Sequence, residues 1–219
     1  MEPVLRADRL GKRFGPLDVL RDVSFEVHAG ESVCVWGPSG AGKSTLLHLA
    51  GLMTAPTSGE LFLFGASAST LSDANQARLR NERLGFLFQF HHLLPDLSLL
   101  ENVMMPLLIR RRERAEAEAR ARGLLERLGL GPRLNHRPAE ASGGEQQRAA
   151  LARALVGEPG LVLADEPTGN LDRGVGRDVE ALLREEVKAR GAALVLVTHD
   201  EHLAAQADRR LELVDGRLS

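Results

Sequence analysis

A single cysteine, Cys34, stands among 219 residues, so no disulfide can close within one copy of the chain. Its place in the apolar run Val33-Cys34-Val35-Trp36 marks a buried, inert thiol, which fits a reducing compartment. Excess charge is missing too: 28 Lys and Arg stand against 30 Asp and Glu, a formal net charge of -2. That balance offers no overall basic surface to a nucleic acid backbone, and no nucleic acid partner is expected. Nowhere do about 18 apolar residues run together, so no membrane-spanning helix is expected, and membrane contact would run through partners only. The opening MEPVLRADRL lacks the basic region, apolar core and cleavage site of a secretory signal. Internal repeats and low-complexity linkers are also absent, which points to one folded domain over residues 1–219.

What is present is a chain built to fold, 43% hydrophobic and 26% charged. The short apolar runs ESVCVWG, LVLAD and ALVLVTH alternate with longer helical patterns, the sequence form of a parallel sheet with crossover helices. Shorter alternating segments at residues 4–35 and 59–65, broken by glycines, predict an antiparallel β lobe. Strand signals vanish from about 96 to 139. There RRRERAEAEARARGLLERLGL predicts a solvated helix with Glu116/Arg120 and Glu118/Arg122 pairs, ended by Gly129 and Gly131-Pro132. The expected fold is α/β: a mainly parallel core sheet, an antiparallel β lobe and a helical subdomain inserted at about 91–140.

Gly37-Pro38-Ser39-Gly40-Ala41-Gly42-Lys43-Ser44 matches the P-loop pattern, and it follows an apolar strand and opens a helical run at Thr45. Such a loop wraps phosphate oxygens in backbone N–H groups, extends Lys43 to the β- and γ-phosphates and offers Ser44 to Mg²⁺. Downstream, the buried run ending Ala164-Asp165-Glu166 delivers two carboxylates at a strand's carboxyl end. Adjacent strand residues point opposite ways, so different tasks are expected: Asp165 for Mg²⁺, and Glu166 to orient a water for attack on the γ-phosphate. The run ALVLVTH ends at His199, suited to contact the γ-phosphate. A zinc reading of His199 and His202 is less favoured, and His202 is expected at the surface.

A second anion site is suggested by Ser142-Gly143-Gly144-Glu145 before a helical run. S-x-x-E is a capping box, yet two glycines in the first turn leave backbone bare for an approaching phosphate. Either it holds a different anion, or it completes the nucleotide site of another copy of the chain.

GPSGAGKS, Gln89, ASGGEQQR, LVLADE, the segment Gly169-Asn170-Leu171-Asp172 and His199 resemble, in order and spacing, the motifs of ATP-binding cassette (ABC) ATPases, over essentially the whole chain. The resemblance implies a P-loop NTPase that binds ATP and Mg²⁺ and hydrolyses ATP. It implies a homodimer in which each ATP lies between the P-loop of one chain and Ser142, Gly143, Gly144 and Glu145 of the other. Phe14 matches the position that stacks on adenine, with a core phenylalanine as the alternative. Gln89 matches the glutamine that touches Mg²⁺ and the attacking water, and Asp172 the acid of the dimer-contacting loop. Ala141 departs from the family's leucine. DNA-repair and chromosome-organising ATPases share similar signatures but carry a long coiled coil, which this chain has no room for. A small-molecule kinase would not account for Gln89, SGGE and His199 together.

Within the family, FLFQFHHLLPDLSLLENV resembles the cassettes of lipoprotein-releasing exporters, with macrolide-exporter and cell-division cassettes as near relatives. This implies integral membrane permease subunits of the LolC/LolE kind as partners, and a peripheral location on the cytoplasmic face of the bacterial inner membrane. Adjacent His91 and His92 diverge on any regular backbone and lack Cys neighbours, which disfavours a metal site. Gln89 is expected to look toward the nucleotide and His91 to Pro95 toward a partner. Leu93, Leu94, Leu97 and Leu99 are expected to line the docking groove, with burial in the helical lobe as the alternative.

Overall fold

Along residues 2–219, which the computed structural model describes, the elements run β1 (Leu5–Phe14), β2 (Leu17–Val27), β3 (Ser32–Trp36), α1 (Lys43–Ala50), β4 (Ser58–Leu63), β5 (Ala66–Ser67), α2 (Asp73–Arg83), β6 (Leu84–Phe88), α3 (Leu99–Ile109), α4 (Arg114–Arg127), α5 (Gly143–Leu155), β7 (Leu161–Asp165), α6 (Arg173–Ala189), β8 (Ala193–Thr198), α7 (Glu201–Ala204), β9 (Arg209–Val214) and β10 (Arg217–Leu218).

Side-chain alternation sorts the strands into two sheets. β1 buries Leu5, Ala7 and Leu10 while Arg6, Asp8 and Arg9 face water, the period of a sheet solvated on one side. It joins the antiparallel sheet ordered β2-β1-β4-β5. β7 and β8 do not alternate, because both their faces are covered. Leu161, Leu163, Val195 and Val197 pack with α1 and the antiparallel sheet, while Val162, Ala164, Leu194 and Leu196 pack with α3 to α6. These strands lie in a six-stranded sheet ordered β10-β9-β3-β8-β7-β6, parallel except at β10. Cys34, fully buried in β3, has its thiol pushed up to about 12 by burial.

The register of the parallel strands places the site. Phe88 pairs with Asp165, Asp165 with Val197, and Trp36 with Thr198, so the chain leaves β3, β6, β7 and β8 at one shared edge. Such an edge, at the carboxyl ends of the strands, is where open α/β sheets take their ligands.

Helices fill the stretch between β6 and α5. α4 buries Ala117, Ala121, Leu124 and Leu125 on one stripe, and its outer face carries the expected Arg120–Glu116 and Arg122–Glu118 pairs at 3.1 and 2.9 Å. Each exposed pair contributes only about 0.3–0.5 kcal/mol, so the stripe decides the docking of this helix. Leu99, expected in a docking groove, is instead fully buried at the start of α3, because the helical period turns it and Val103 into the core.

One polar fastening ties α3 to the rest of the molecule. Arg110, just past its end, donates from Nε to Asn81 Oδ1 at 3.0 Å, from Nη1 to the Gly157 carbonyl at 2.9 Å and from Nη2 to the Asn81 carbonyl. Asn81 in turn donates to the Pro106 carbonyl at 3.2 Å. Burial pushes the Arg110 guanidinium below its ordinary value, with the charges of Glu82 and Glu158 opposing the shift. Arg110→Ala should therefore lower stability by about 2 kcal/mol in urea unfolding, and Arg110→Lys should restore little of it, since an ammonium cannot span the forked acceptors.

Candidate functional site

The loop between β3 and α1 closes because of Gly42. This residue caps α1 in a left-handed conformation, φ 104°, and a Cβ there would lie 2.9 Å from both the Val19 carbonyl oxygen and a Leu20 methyl. Glycine alone satisfies both demands. Pro38, Ser39 and Gly40 form the exposed rim, and Lys43 is folded inside the loop, donating to the Gly37 and Pro38 carbonyls at 2.8 and 3.0 Å. The ammonium therefore sits within the ring of loop backbone, beside an open helix amino terminus. Ser44, one residue on, donates from Oγ to Asp165 Oδ1 at 3.2 Å. Burial pushes the Asp165 carboxyl above its ordinary value, partly offset by that hydroxyl.

Asp165 and Glu166 do diverge, but not by strand alternation. β7 ends at Asp165, and Glu166 takes a left-handed backbone, φ 44°. This conformation costs a non-glycine residue about 1–2 kcal/mol. It is held by the Glu166 N–H to the Val197 carbonyl, 2.9 Å, and by the Gly169 N–H to its own carbonyl, 3.0 Å. The turn carries the carboxylate over the end of β8, where Thr198 Oγ1 donates to Oε2 at 3.0 Å and His199 Nδ1 lies 2.7 Å from Oε1. With Nδ1 engaged and its side chain 63% exposed, the His199 ring leaves Nε2 for an incoming group. Thr198 escaped the sequence reading, although a threonine closing an apolar run beside His199 was the available signal. His202 is exposed, and Asp200 caps its short helix by accepting from its N–H at 2.8 Å.

Gln89 follows β6 and reaches the turn after Glu166. Its Nε2 donates to Asn170 Oδ1 at 2.9 Å, and Asn170 returns a bond to the Gln89 carbonyl at 3.2 Å. Beyond it the expectation that His91 faces a partner fails. His91 Nδ1 is hydrogen-bonded to Gln147, inside α5, and Arg153 donates to the His91 and His92 carbonyls at 2.7 and 2.6 Å. The histidines diverge through the backbone of His92, φ 48°, whose ring packs edge-on against Phe88, 5.4 Å between centroids. Phe90, 66% exposed, and Leu94, 45% exposed, face outward, whereas Leu93 and Leu97 are partly buried. Phe90 was not among the residues expected at a docking surface. Asn102, fully buried, shapes this loop by accepting from the Leu94 N–H at 2.7 Å and donating to the Leu94, Leu97 and Ser98 carbonyls.

The capping box at α5 is complete. Glu145 accepts from the Ser142 N–H at 2.8 Å, and Ser142 Oγ accepts from the Glu145 N–H at 3.3 Å. The Ser142 N–H first, then Arg133 Nε at 2.9 Å, hold the Glu145 carboxyl down at about 2. The two glycines are not equivalent, contrary to the sequence argument that both bare the backbone. Gly143 is exposed, but Gly144 is buried, and a Cβ on it would lie 2.3 Å from a Val175 methyl on α6. Asp172 caps α6, accepting from the Gly174 and Val175 N–H groups at 3.1 Å each. Ala141 is buried before the cap. Phe14 lies apart at the end of β1, 52% exposed with Lys12 Nζ 4.9 Å above its ring, so it is not a core residue. Among the described residues no cluster of three or more His, Cys, Asp or Glu side chains could hold a metal ion, and no helix is long and apolar enough to cross a membrane.

Known proteins are similar to this chain in sequence and in fold. The family model described as ABC transporter matches residues 20–169. The lipoprotein-releasing system ATP-binding protein LolD of Bordetella pertussis is 52% identical over 220 residues, 99% of this chain and 95% of that protein. LolD of Shewanella denitrificans is 53% identical over 201 residues, 92% of this chain and 86% of that protein. Among solved structures, a dimeric post-hydrolysis state of the ATP-binding cassette MJ0796, bound to ADP and Pi, is similar with a TM-score of 0.90 at 35% identity, covering 98% of this chain and 96% of that one.

The depressed Glu145 carboxyl has a testable sign. Its folded value of about 2 lies below the ordinary 4.5, so its contribution is complete above about 4.5 and is lost as pH falls toward 2. The difference in urea midpoint between the native chain and Glu145→Gln should stay level from neutral pH down to about 4.5, then shrink.

Proposed function

The chain belongs to the ABC transporter family, and on that premise we propose that it is the ATP-hydrolysing subunit of a lipoprotein-releasing transporter, acting as a homodimer beneath two LolC/LolE-like membrane permeases. Its place would be peripheral, on the cytoplasmic face of a bacterial inner membrane. Residues 1–219 act as one cassette domain, with the helices at about 91–140 as the lobe that meets the permeases. The observation that carries the chemistry is Glu166, held between Thr198 and His199 one residue after the Asp165 that meets Ser44 of the P-loop.

In this reading the triphosphate enters the loop Gly37 to Thr45, and Lys43 exchanges the Gly37 and Pro38 carbonyls for β- and γ-phosphate oxygens. Phe14, exposed on β1, offers a face for adenine to stack on. Ser44 and Asp165 form an all-oxygen pair suited to a hard cation that keeps water and phosphate among its ligands, and Gln89 joins them. Mg²⁺, when bound there, would draw charge from the phosphates in the transition state. Glu166 orients the attacking water, and His199 contacts the γ-phosphate through Nε2. The second copy supplies Ser142, the bare Gly143 N–H, Gly144 and Glu145 from the capped start of α5. Asp172, capping α6 beside that helix, lies in the loop that meets the partner copy.

Two measurements probe this reading. Glu166→Gln should keep ATP binding, slow hydrolysis by roughly 10²-fold or more, and leave an ATP-dependent dimer visible by size-exclusion chromatography. Unchanged turnover would remove Glu166 from the role. Phe90→Glu combined with Leu94→Asp should release the chain from its membrane partners on co-purification while sparing ATP binding, since both side chains are already exposed.

A further inference from the structure

Gln147 is a fully buried amide on the inner stripe of α5, a helix whose other buried residues are Gly144, Ala and Leu. A polar side chain survives there only if its groups are matched, because an unpaired buried amide costs about 1–3 kcal/mol. Its matches are unusual in where they lie. Nε2 donates to the Phe88 carbonyl at 3.0 Å, directly before Gln89, and to the Pro167 carbonyl at 2.5 Å, directly after Glu166. Two carbonyls can be served only by the NH₂ end, so Oε1 is the atom that faces His91. His91 Nδ1 must then carry the hydrogen and donate it.

We propose that Gln147 is a positioning residue for hydrolysis, with His91 as its third anchor. Resting on the ATPase reading above, the assignment gives one amide the task of keeping three elements in register. These are the loop that carries Gln89, the turn that carries Glu166, and the helix whose first turn is the Ser142–Glu145 cap. A displacement of α5 along its axis moves the Phe88 and Pro167 carbonyls together, because both hang from the same nitrogen. Arg153, farther along the same helix, braces the loop again through the His91 and His92 carbonyls. Gln147 is fully buried and bonded only to groups of the protein, so its effect falls on the orientation of Glu166 and Gln89 rather than on ATP capture.

Steady-state ATPase activity of the transporter assembled with its membrane partners tests this, with KM and kcat measured separately for each variant. Gln147→Leu should lower kcat on the order of 10-fold to 10²-fold, while KM for ATP stays within about threefold, the mark of lost orientation rather than lost binding. His91→Phe should give part of that fall, and His91→Asn, which keeps a donor at the place of Nδ1, should restore most of it. The Gln147→Leu, His91→Phe pair should be no slower than Gln147→Leu alone, because both act through one contact. A kcat within about twofold of native in Gln147→Leu would overturn the proposal, as would a KM that rises in step with the loss. Where Gln147→Leu does not fold, the histidine variants decide: equal kcat in His91→Phe and His91→Asn overturns the assignment, and loss in the first with recovery in the second upholds it. If the native complex hydrolyses no ATP, the functional reading itself fails, an outcome separate from any of these.

Discussion

Four parallel strands ending in step are the constraint on which the site depends. The ladder fixes Phe88 beside Asp165, Asp165 beside Val197, and Trp36 beside Thr198. A slip of one residue in any pair would turn that strand's side chains to the opposite face, where they meet partners of the wrong shape, and would shift strand-end groups such as Asp165 along the sheet. Both faces of β7 and β8 are closely packed, so such a slip would misfit side chains in two layers at once. Precision at the edge is therefore a by-product of the core, and the polar residues beyond it need only short loops to converge.

What those loops add is control of direction. Lys43 is held by two carbonyls, Glu166 by a threonine and a histidine, and Gln89 by a reciprocal pair with Asn170. Each charged or amide group is thus already paired within the protein. In the proposed function an incoming phosphate would compete with those carbonyl oxygens for Lys43, adding the attraction of opposite charges to the hydrogen bond. The left-handed Glu166 illustrates the same logic: about 1–2 kcal/mol of backbone strain is tolerated where two backbone bonds and two side-chain partners overdetermine it.

The sequence was legible wherever function is local in the chain. A glycine loop between strand and helix and a capping box are each contained within a few residues, so their geometry follows from backbone rules. The strand alternation that separates β1 from β7 was readable for the same reason. The divergence of Asp165 and Glu166, by contrast, was anticipated for the wrong reason, since the turn at Glu166 is held by residues of β8 and beyond. Illegible were contacts made between distant segments. That His91 turns inward depends on Gln147, 56 positions away. Leu99 was left between groove and core because the start of α3 was not known, and with it the face on which the residue lies. Phe90 and Leu94 stand out only once the folded surface is seen. Gln147 did leave a trace, a glutamine three residues after Gly144 on a helix stripe otherwise filled by small and apolar side chains.

The glycine pair at the start of α5 shows why such non-local contacts matter for interpretation. Both residues lie in a first turn suited to an anion, yet they meet different constraints. Gly143 is exposed, and a Cβ there would make only an ordinary 3.4 Å contact with Leu171, so what a side chain would remove is access to backbone N–H groups. At Gly144 it would collide with Val175 and push α6 away, moving the cap formed by Asp172 along with it. Loss of function at Gly144 would therefore report on the seating of two helices against each other, whereas in the proposed function loss at Gly143 would report on the approach of the ligand. The motif is one word in the sequence and two mechanical parts in the fold.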